Sequence, residues 1–332
     1  MTDTTESAAP AASRTSVAAV IYNPIKVDLE AIKAVVATEQ EAAGWGETLY
    51  FETSVEDPGQ GVTKEAVEAG ADMVIVAGGD GTVRAAAEAI HDSEATLALL
   101  PSGTGNLLAR NLDLTLDDLE HSIHSAFAGK NRDIDLGLID IRHGDGSLTS
   151  HTFLVMAGLG LDAKMLANTD EDLKAKVGWL AYVGAIFKAL TDKNELRVRY
   201  QLDSHRTKSA RAHTIIVGNC GSLQANVLLL PDAAVDDGKF DILILRPENP
   251  FHWAQIMFKI LWENGVLHRT KVGRKLPKKD VKALNYVKGS SLTMRLSRAE
   301  EIELDGDGMG TASAVRITIK PGGLTVRVPQ DA

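Results

Sequence analysis

The residues best placed to do chemistry are a carboxylate set among glycines. Gly78-Gly79-Asp80-Gly81-Thr82 follows the apolar run Met73-Val74-Ile75-Val76, and Pro101-Ser102-Gly103-Thr104-Gly105-Asn106 follows Leu97-Ala98-Leu99-Leu100. Each run reads as a buried strand and each loop leads into a helix-like stretch. Backbone N–H groups at such a strand-to-helix turn point at whatever docks there. Glycine, without a Cβ, lets the backbone wrap closely round phosphate oxygens. One such turn reads equally well as a tight connection with no ligand; two at successive strand ends, both with Thr and Gly, read as a phosphate cradle. Asp80 would repel a phosphate unless it holds Mg²⁺, orders water or accepts a proton from a nucleophile. The chemistry indicated is phosphoryl transfer.

Two further acidic turns stand later in the chain. In Asp305-Gly306-Asp307 a reversing backbone brings two carboxylates together, so one can hydrogen-bond and orient while the other takes a proton. Which of them is the base is open at this stage. Asp236-Asp237-Gly238 lies between Leu228-Leu229-Leu230 and Phe240-Asp241-Ile242 and reads first as a hairpin turn. Gly158-Leu159-Gly160-Leu161-Asp162-Ala163 fits the loose dinucleotide pattern, but Leu173–Leu190 after it looks helical rather than like a strand ending in an acid. His121 and His124 share a helix face with no metal-ligand partners, and no Gly-x-Ser-x-Gly elbow is present.

The elements that must position these groups change in kind along the chain. Up to about residue 131, strands at 17–22, 47–53, 73–76 and 96–100 alternate with helical patterns at 29–36, 63–69, 82–90 and 116–127. This alternation predicts a parallel sheet with crossover helices, its ligand at the strand carboxyl ends where Asn23-Pro24, Thr53, Asp80 and Thr104 fall. From Arg132 onward short alternating runs in turn-rich surroundings, among them 149–156, 291–296 and 302–304, predict a mostly antiparallel β-sandwich, interrupted by helices near 172–190 and 251–263. The expected division is a flexible tail over 1–14, an α/β nucleotide domain over 15–131 and a β-sandwich substrate domain over 132–330.

Composition narrows the function classes. Apolar residues make up 44% and charged residues 24%, as in globular proteins, and a net charge of −10 argues against general nucleic-acid binding. A single cysteine, Cys220, rules out an intrachain disulfide and fits a reducing compartment. The apolar stretch 177–187 is too short to span a bilayer. The expected location is cytoplasmic. Within this acidic chain, Arg269, Lys271, Arg274, Lys275, Lys278, Lys279 and Lys282 crowd together after an aromatic stretch containing Trp253 and Trp262. Such a segment is either a solvated basic loop or a peripheral membrane contact.

The motifs, taken in order, resemble those of the diacylglycerol and sphingosine kinase-type lipid kinases, in particular bacterial members. The resemblance rests on Gly78–Val83, Pro101–Arg110, Ala157–Ala163, Pro231-Asp232-Ala233 with Asp236-Asp237-Gly238, and Asp305-Gly306-Asp307. It implies an ATP- and Mg²⁺-dependent kinase, most simply one converting diacylglycerol to phosphatidic acid, with ATP in a cleft between the two domains. By resemblance Asn23, Pro24, Thr53, Gly78, Gly79, Asp80, Gly81, Thr82, Gly103, Thr104, Gly105 and Asn106 hold the nucleotide. Asp237 with the carbonyls of Ala234 and Lys239 would hold Mg²⁺. Asp307, or alternatively Asp305, would be the base, and Asp80 would order the metal and its water. The family often continues its first loop with Asn-Glu, where this chain has Arg84-Ala85, and its late motif usually ends in Glu, where this chain has Asp307. The alternatives are a sphingoid-base or other lipid kinase, a kinase of a soluble acceptor such as NAD, or a weakly catalytic lipid- or nucleotide-binding regulator. Nothing in the sequence separates a monomer from a homodimer.

Overall fold

The computed structural model describes residues 14–160, 196–222, 228–246 and 284–331. Residues 1–13 of the expected tail, Asp162, the expected helices near 172–190 and 251–263, and the basic segment 269–282 lie outside the described residues, while Arg14 at the tail's end donates to Gly70 O and pairs with Asp72. Four strands, Ala18–Tyr22 (β1), Leu49–Glu52 (β2), Met73–Gly78 (β3) and Thr96–Pro101 (β4), pair parallel in the order β2-β1-β3-β4. The helices are Leu29–Ala43 (α1), Gln60–Glu68 (α2), Asp80–Ile90 (α3), Leu107–Asn111 (α4) and Leu119–Ala128 (α5).

Alternation along β1 fixes the layers. Ala18 and Val20 pack with Ile32 and Val36 of α1 and Ile123 and Phe127 of α5. Ala19 and Ile21 turn to the opposite core with Ala66 of α2 and Ala86 and Ile90 of α3. Helices therefore cover both faces, which is why the strands read as continuous apolar runs. Helix α1 starts where the Asp28 carboxylate caps the N–H groups of Glu30 and Ala31, and ends at Gly44 with φ 70°.

The remaining strands are Lys130–His143 (β5), Leu148–Phe153 (β6), Met156–Leu159 (β7), Leu196–Leu202 (β8), Lys208–Ala212 (β9), Thr214–Gly218 (β10), Phe240–Leu245 (β11), Leu284–Gly289 (β12), Ser291–Leu304 (β13) and Asp307–Val328 (β14). All pairings among them are antiparallel. A separate apolar core, including Ile139, Phe153, Leu159, Val198, Phe240, Leu292, Ile302 and Ile317, fills this β-sandwich. The fold is thus an α/β unit with a β-sandwich, as the sequence predicts. Strand β14 joins them: it pairs with β13 and β5, and at Val326 runs parallel to Leu97 of β4.

Three details differ from the sequence reading. The expected strand over 149–156 is two, β6 and β7, broken at Leu154-Val155 where backbone N–H groups turn to a buried carboxylate. The separate runs 291–296 and 302–304 are one bulged strand, β13. The edge strand β9, Lys-Ser-Ala-Arg-Ala, has no apolar alternation to betray it, because only Ala212 is buried.

Candidate active site

The parallel sheet presents its loops on one edge. Asn23 follows β1, its N–H bonded to Ala77 O at 3.1 Å, and its Oδ1 accepts the N–H of Ile25 at 3.0 Å. Pro24 is exposed, whereas Thr53 after β2 is buried and donates its N–H to Tyr22 O at 2.9 Å. The two glycine loops press on each other: a Cβ on Gly103 would stand 2.8 Å from Gly79 Cα. Only glycine allows that approach. The second loop is closed by Asn106, in the left-handed region at φ 48°, whose side chain accepts from Gly103 N at 3.1 Å and donates to Gly103 O at 2.8 Å. Gly105 O takes the Arg110 Nε–H at 2.7 Å, and Thr104 is left exposed at the loop tip. Thr82 is buried and packs beneath the first loop, with its Cβ 2.8 Å from the Cβ position of Gly78. Gly78, Gly79, Gly81 and Thr104 thus line the edge, while Thr53, Thr82 and Asn106 build it from below.

Asp80 opens α3. Its Oδ1 accepts the Leu107 N–H at 2.5 Å, tying the first loop to the start of α4. Burial raises the Asp80 carboxyl above its ordinary range against the N–H bonds that lower it, and the nearby Asp307 charge adds to the rise. Asp307 reaches over from the start of β14: its Oδ2 lies 2.7 Å from where a Cβ on Gly81 would stand. The same oxygen is 3.1 Å from Arg84 Nη2, one turn further along α3. Arg84 is largely buried and its Nε has no hydrogen-bond partner, whereas Asp307 is 46% exposed. Two features that depart from the resembled pattern, Arg84 and Asp307, therefore meet in one ion pair. Behind them Glu88 accepts from Thr152 N at 3.0 Å; despite burial its carboxyl is held below the ordinary range by His151, that N–H and Arg84.

Asp305 has a different setting. It is 5% exposed, and its carboxylate accepts the N–H groups of Leu154 at 2.8 Å, Val155 at 2.8 Å and Met156 at 2.9 Å. Burial outweighs those donors and pushes its carboxyl up to about 6. Asp305 is a clamp on the β6–β7 turn that fixes the backbone carrying Asp307, and its oxygens face the protein.

The turn around Asp237 stands apart from the glycine loops but is wired to them. Buried Asp135 accepts Gly238 N at 2.6 Å and Gly322 N at 2.9 Å. Asn219 Nδ2 donates to both Asp135 O at 2.8 Å and Leu154 O at 3.2 Å, which leads to the Asp305 clamp. Asp237 Oδ1 accepts Lys239 N at 3.0 Å, while its Oδ2 lies 2.9 Å from Lys288 Nζ. That ammonium also reaches Asp232 O at 2.6 Å and Asp241 Oδ2 at 3.2 Å. It is held charged by Asp237 and Asp241 against the opposing effect of burial. The cation among these carboxylates is an ammonium, so the side chains at Asp237 as they stand do not fit a divalent ion. Among the described residues no group of three or more His, Cys, Asp or Glu is placed to share a metal.

The loops do fit a nucleotide. Glycine backbones in close contact, the first turn of α3, whose N-cap Gly79 makes no side-chain cap, and Lys26 Nζ at 3.3 Å from the Gly79 Cβ position suit the oxygens of a phosphate. Asp80 and Asp307 would face metal-bound phosphates, the setting in which two adjacent carboxylates are least costly. Sequence reasoning brought out the loops and both late aspartates. It did not find Lys26, close after Asn23-Pro24, nor Lys288 as the partner of Asp237; no local pattern marks either.

Comparison with known proteins bears on the family and the fold. Residues 17–139 match the diacylglycerol kinase catalytic domain, and residues 155–328 match the YegS C-terminal NAD kinase beta sandwich-like domain. A probable lipid kinase YegS-like from Pseudomonas fluorescens is 31% identical over 307 residues, 91% of this chain and 92% of that one. The diacylglycerol kinase of Bacillus subtilis is 25% identical over 295 residues, 87% and 89% of the two chains. A crystal structure of a diacylglycerol kinase from Bacillus anthracis superposes with a TM-score of 0.64 at 19% identity, covering 94% of this chain and 96% of that one. Yeast NADH kinase shares the fold at a TM-score of 0.51 and 7% identity, over 93% and 79%. With both parts of the chain matched by these family models and a relative 31% identical over 91% of it, the chain belongs to the diacylglycerol kinase and YegS-like family of lipid kinases.

Proposed function

We propose that this lipid kinase transfers the γ-phosphate of ATP to the free hydroxyl of diacylglycerol, giving phosphatidic acid and ADP. The observation that carries the reading is Asp307, half exposed and lying over Gly81 beside Asp80, at the edge where both glycine loops end. The phosphates would lie along Gly78–Thr82 and Gly103–Asn106, with Lys26 beside them and Asn23, Pro24 and Thr53 supporting the nucleoside end. Mg²⁺ bound with the nucleotide would offset charge on the phosphate oxygens, and Asp80 would order that ion and its water. Asp307 takes the hydroxyl proton as that oxygen bonds to the γ-phosphorus, and the bond from phosphorus to the bridging oxygen of ADP breaks in line. Arg84 holds the Asp307 carboxylate in place and Asp305 holds the turn that carries it. A divalent ion at Asp237 would first have to displace the Lys288 ammonium, so no step is assigned to one there.

The enzyme would meet its acceptor at a membrane surface. No helix among the described residues is long and apolar enough to cross a membrane, and the basic segment 269–282 is one element suited to a peripheral contact. The test is a panel of acceptors given with γ-labelled ATP and Mg²⁺: detergent-dispersed diacylglycerol, monoacylglycerol, a sphingoid base, phosphatidylglycerol and NAD. Label in phosphatidic acid above all other products is expected. Label chiefly in another lipid would move the substrate assignment, and label chiefly in NAD would overturn the lipid reading.

A further inference from the structure

Helix α3 carries its charges in a stripe. Asp80, Arg84 and Glu88 stand four residues apart and so share one face. The β13–β14 turn brings Asp307 Oδ2 to 3.1 Å from Arg84 Nη2, and Arg84 is close enough to oppose the rise of the buried Asp305 carboxyl. The same guanidinium helps to lower the Glu88 carboxyl. One arginine thus stands among four carboxylates, at the position where the resembled pattern often has an uncharged Asn. Its place is costly, because Arg84 Nε is buried without a hydrogen-bond partner. The side chain is 13% exposed, so water and salt screen its charge little.

We propose that Arg84 selects the acceptor: the site takes an uncharged lipid alcohol and turns away one that carries an ammonium beside the reacting hydroxyl. The inference rests on the lipid-kinase reading, with Asp307 as the base. A hydroxyl within hydrogen-bond reach of Asp307 sets the substituent on its neighbouring carbon about 5 Å from that carboxylate and about 7 Å from the guanidinium behind it. Unopposed, Asp80 and Asp307 would draw an ammonium to that place. Arg84 already pairs Asp307, so an ammonium there leaves water without a free counter-charge. It is also repelled directly: like charges about 7 Å apart, at an effective dielectric constant of about 20, change an equilibrium by roughly 50-fold. Diacylglycerol and N-acylated sphingoid lipids are uncharged beside the hydroxyl. A free sphingoid base is not.

The test gives the full chain sphingosine and N-acetylsphingosine, which present the same hydroxyl with and without an ammonium, beside diacylglycerol as reference. All are dispersed in neutral detergent at about pH 6.5, where the amine is protonated. Label from γ-labelled ATP reports transfer; where transfer to either sphingoid lipid is slow, its inhibition of diacylglycerol phosphorylation gives the same comparison. Wild type should favour the N-acetyl form by about tenfold or more in kcat/KM. Arg84→Gln should turn over diacylglycerol more slowly, because Asp307 loses its tether, and should shift the sphingoid ratio towards the free base by about 10–50-fold. Arg84→Lys keeps the charge and should keep the wild-type ratio, whatever its turnover. A purely structural role would slow both sphingoid lipids alike. Melting temperature and ATP affinity report that each variant is folded. A wild type that prefers the free base would overturn the proposal. So would an Arg84→Gln ratio within about threefold of wild type, or an Arg84→Lys ratio shifted as far as that of Gln. Absence of label from every lipid would overturn the lipid-kinase reading itself, and this inference with it.

Discussion

Gly81→Ala separates the stability of the site from its chemistry. A Cβ at this position would find Asp307 Oδ2 at 2.7 Å, and the next two atoms, at 3.4 and 3.5 Å, also belong to Asp307. To restore ordinary contact the carboxylate oxygen must retreat by about 0.7 Å, and a misplacement near 1 Å at a reacting group costs about a hundredfold in rate. The obstacle is the far end of a side chain, so the backbone need not move. Gly81 is in the first turn of α3, where alanine is the better helix former by up to about 1 kcal/mol. The variant should melt at the same temperature as wild type or higher, yet turn over about 10–100-fold more slowly. Calorimetry gives the first readout and label transfer at saturating ATP the second. An Asp307→Asn background decides the cause: with the proposed base already removed, adding Gly81→Ala should cost little more. Retention of turnover within about threefold of wild type would refute the reasoning, and so would an equal fall in both backgrounds, which would place the effect on the bound phosphates.

Asp80→Asn keeps the shape of the loop and removes its charge; turnover should drop by more than tenfold, over about 1.4 kcal/mol, while the fold persists by circular dichroism. Asp305→Asn turns an amide towards the Leu154 N–H and should lower stability by about 1–3 kcal/mol in denaturant titrations near neutral pH. Because burial raises the Asp305 carboxyl to about 6 in the fold, its contribution to stability is present below the unfolded carboxyl range and is lost as pH rises through 6. The wild type should show that slope between about pH 4 and 6, and the Asn variant should lack it. Lys288→Met removes the ammonium from Asp237 and buried Asp241; its melting temperature should fall and be partly restored by millimolar Mg²⁺, whereas wild type should not respond to EDTA. A wild-type melting temperature that falls with EDTA would put a divalent ion at Asp237 after all.

The parts legible in the sequence were those written locally. An apolar strand followed by glycines, a carboxylate and a helical pattern spells the β3–α3 connection within a dozen neighbours, and the change of period near Arg132 marks where crossover helices give way to antiparallel strands. Contacts across the fold left no such trace. Arg84 and Asp307 are 223 residues apart, and only the return of β14 beside β4 sets one against the other. The sequence could offer Asp305 and Asp307 as equals, since a two-residue spacing says nothing of burial. What separates them is that the β6–β7 turn presents backbone N–H groups to Asp305 alone. Asp237 reads as an oxygen ligand from its turn, and only the β11–β12 register, with Asp241 opposite Lys288, brings an ammonium to it.

The central claim is that a carboxylate on the returning strand accepts the proton of a lipid hydroxyl as it attacks ATP held by the glycine loops. Single-turnover transfer of labelled γ-phosphate to dispersed diacylglycerol, with wild type, Asp307→Asn and Asp307→Glu each saturated with Mg²⁺–ATP, tests it directly. The account predicts labelled phosphatidic acid from wild type, a rate lower by about 10²–10⁴ for Asn as expected for loss of a general base, substantial recovery with Glu, and nucleotide affinity the same in all three. Wild-type transfer with an undiminished Asn variant, or an Asn variant that fails only because it no longer binds ATP, would contradict it.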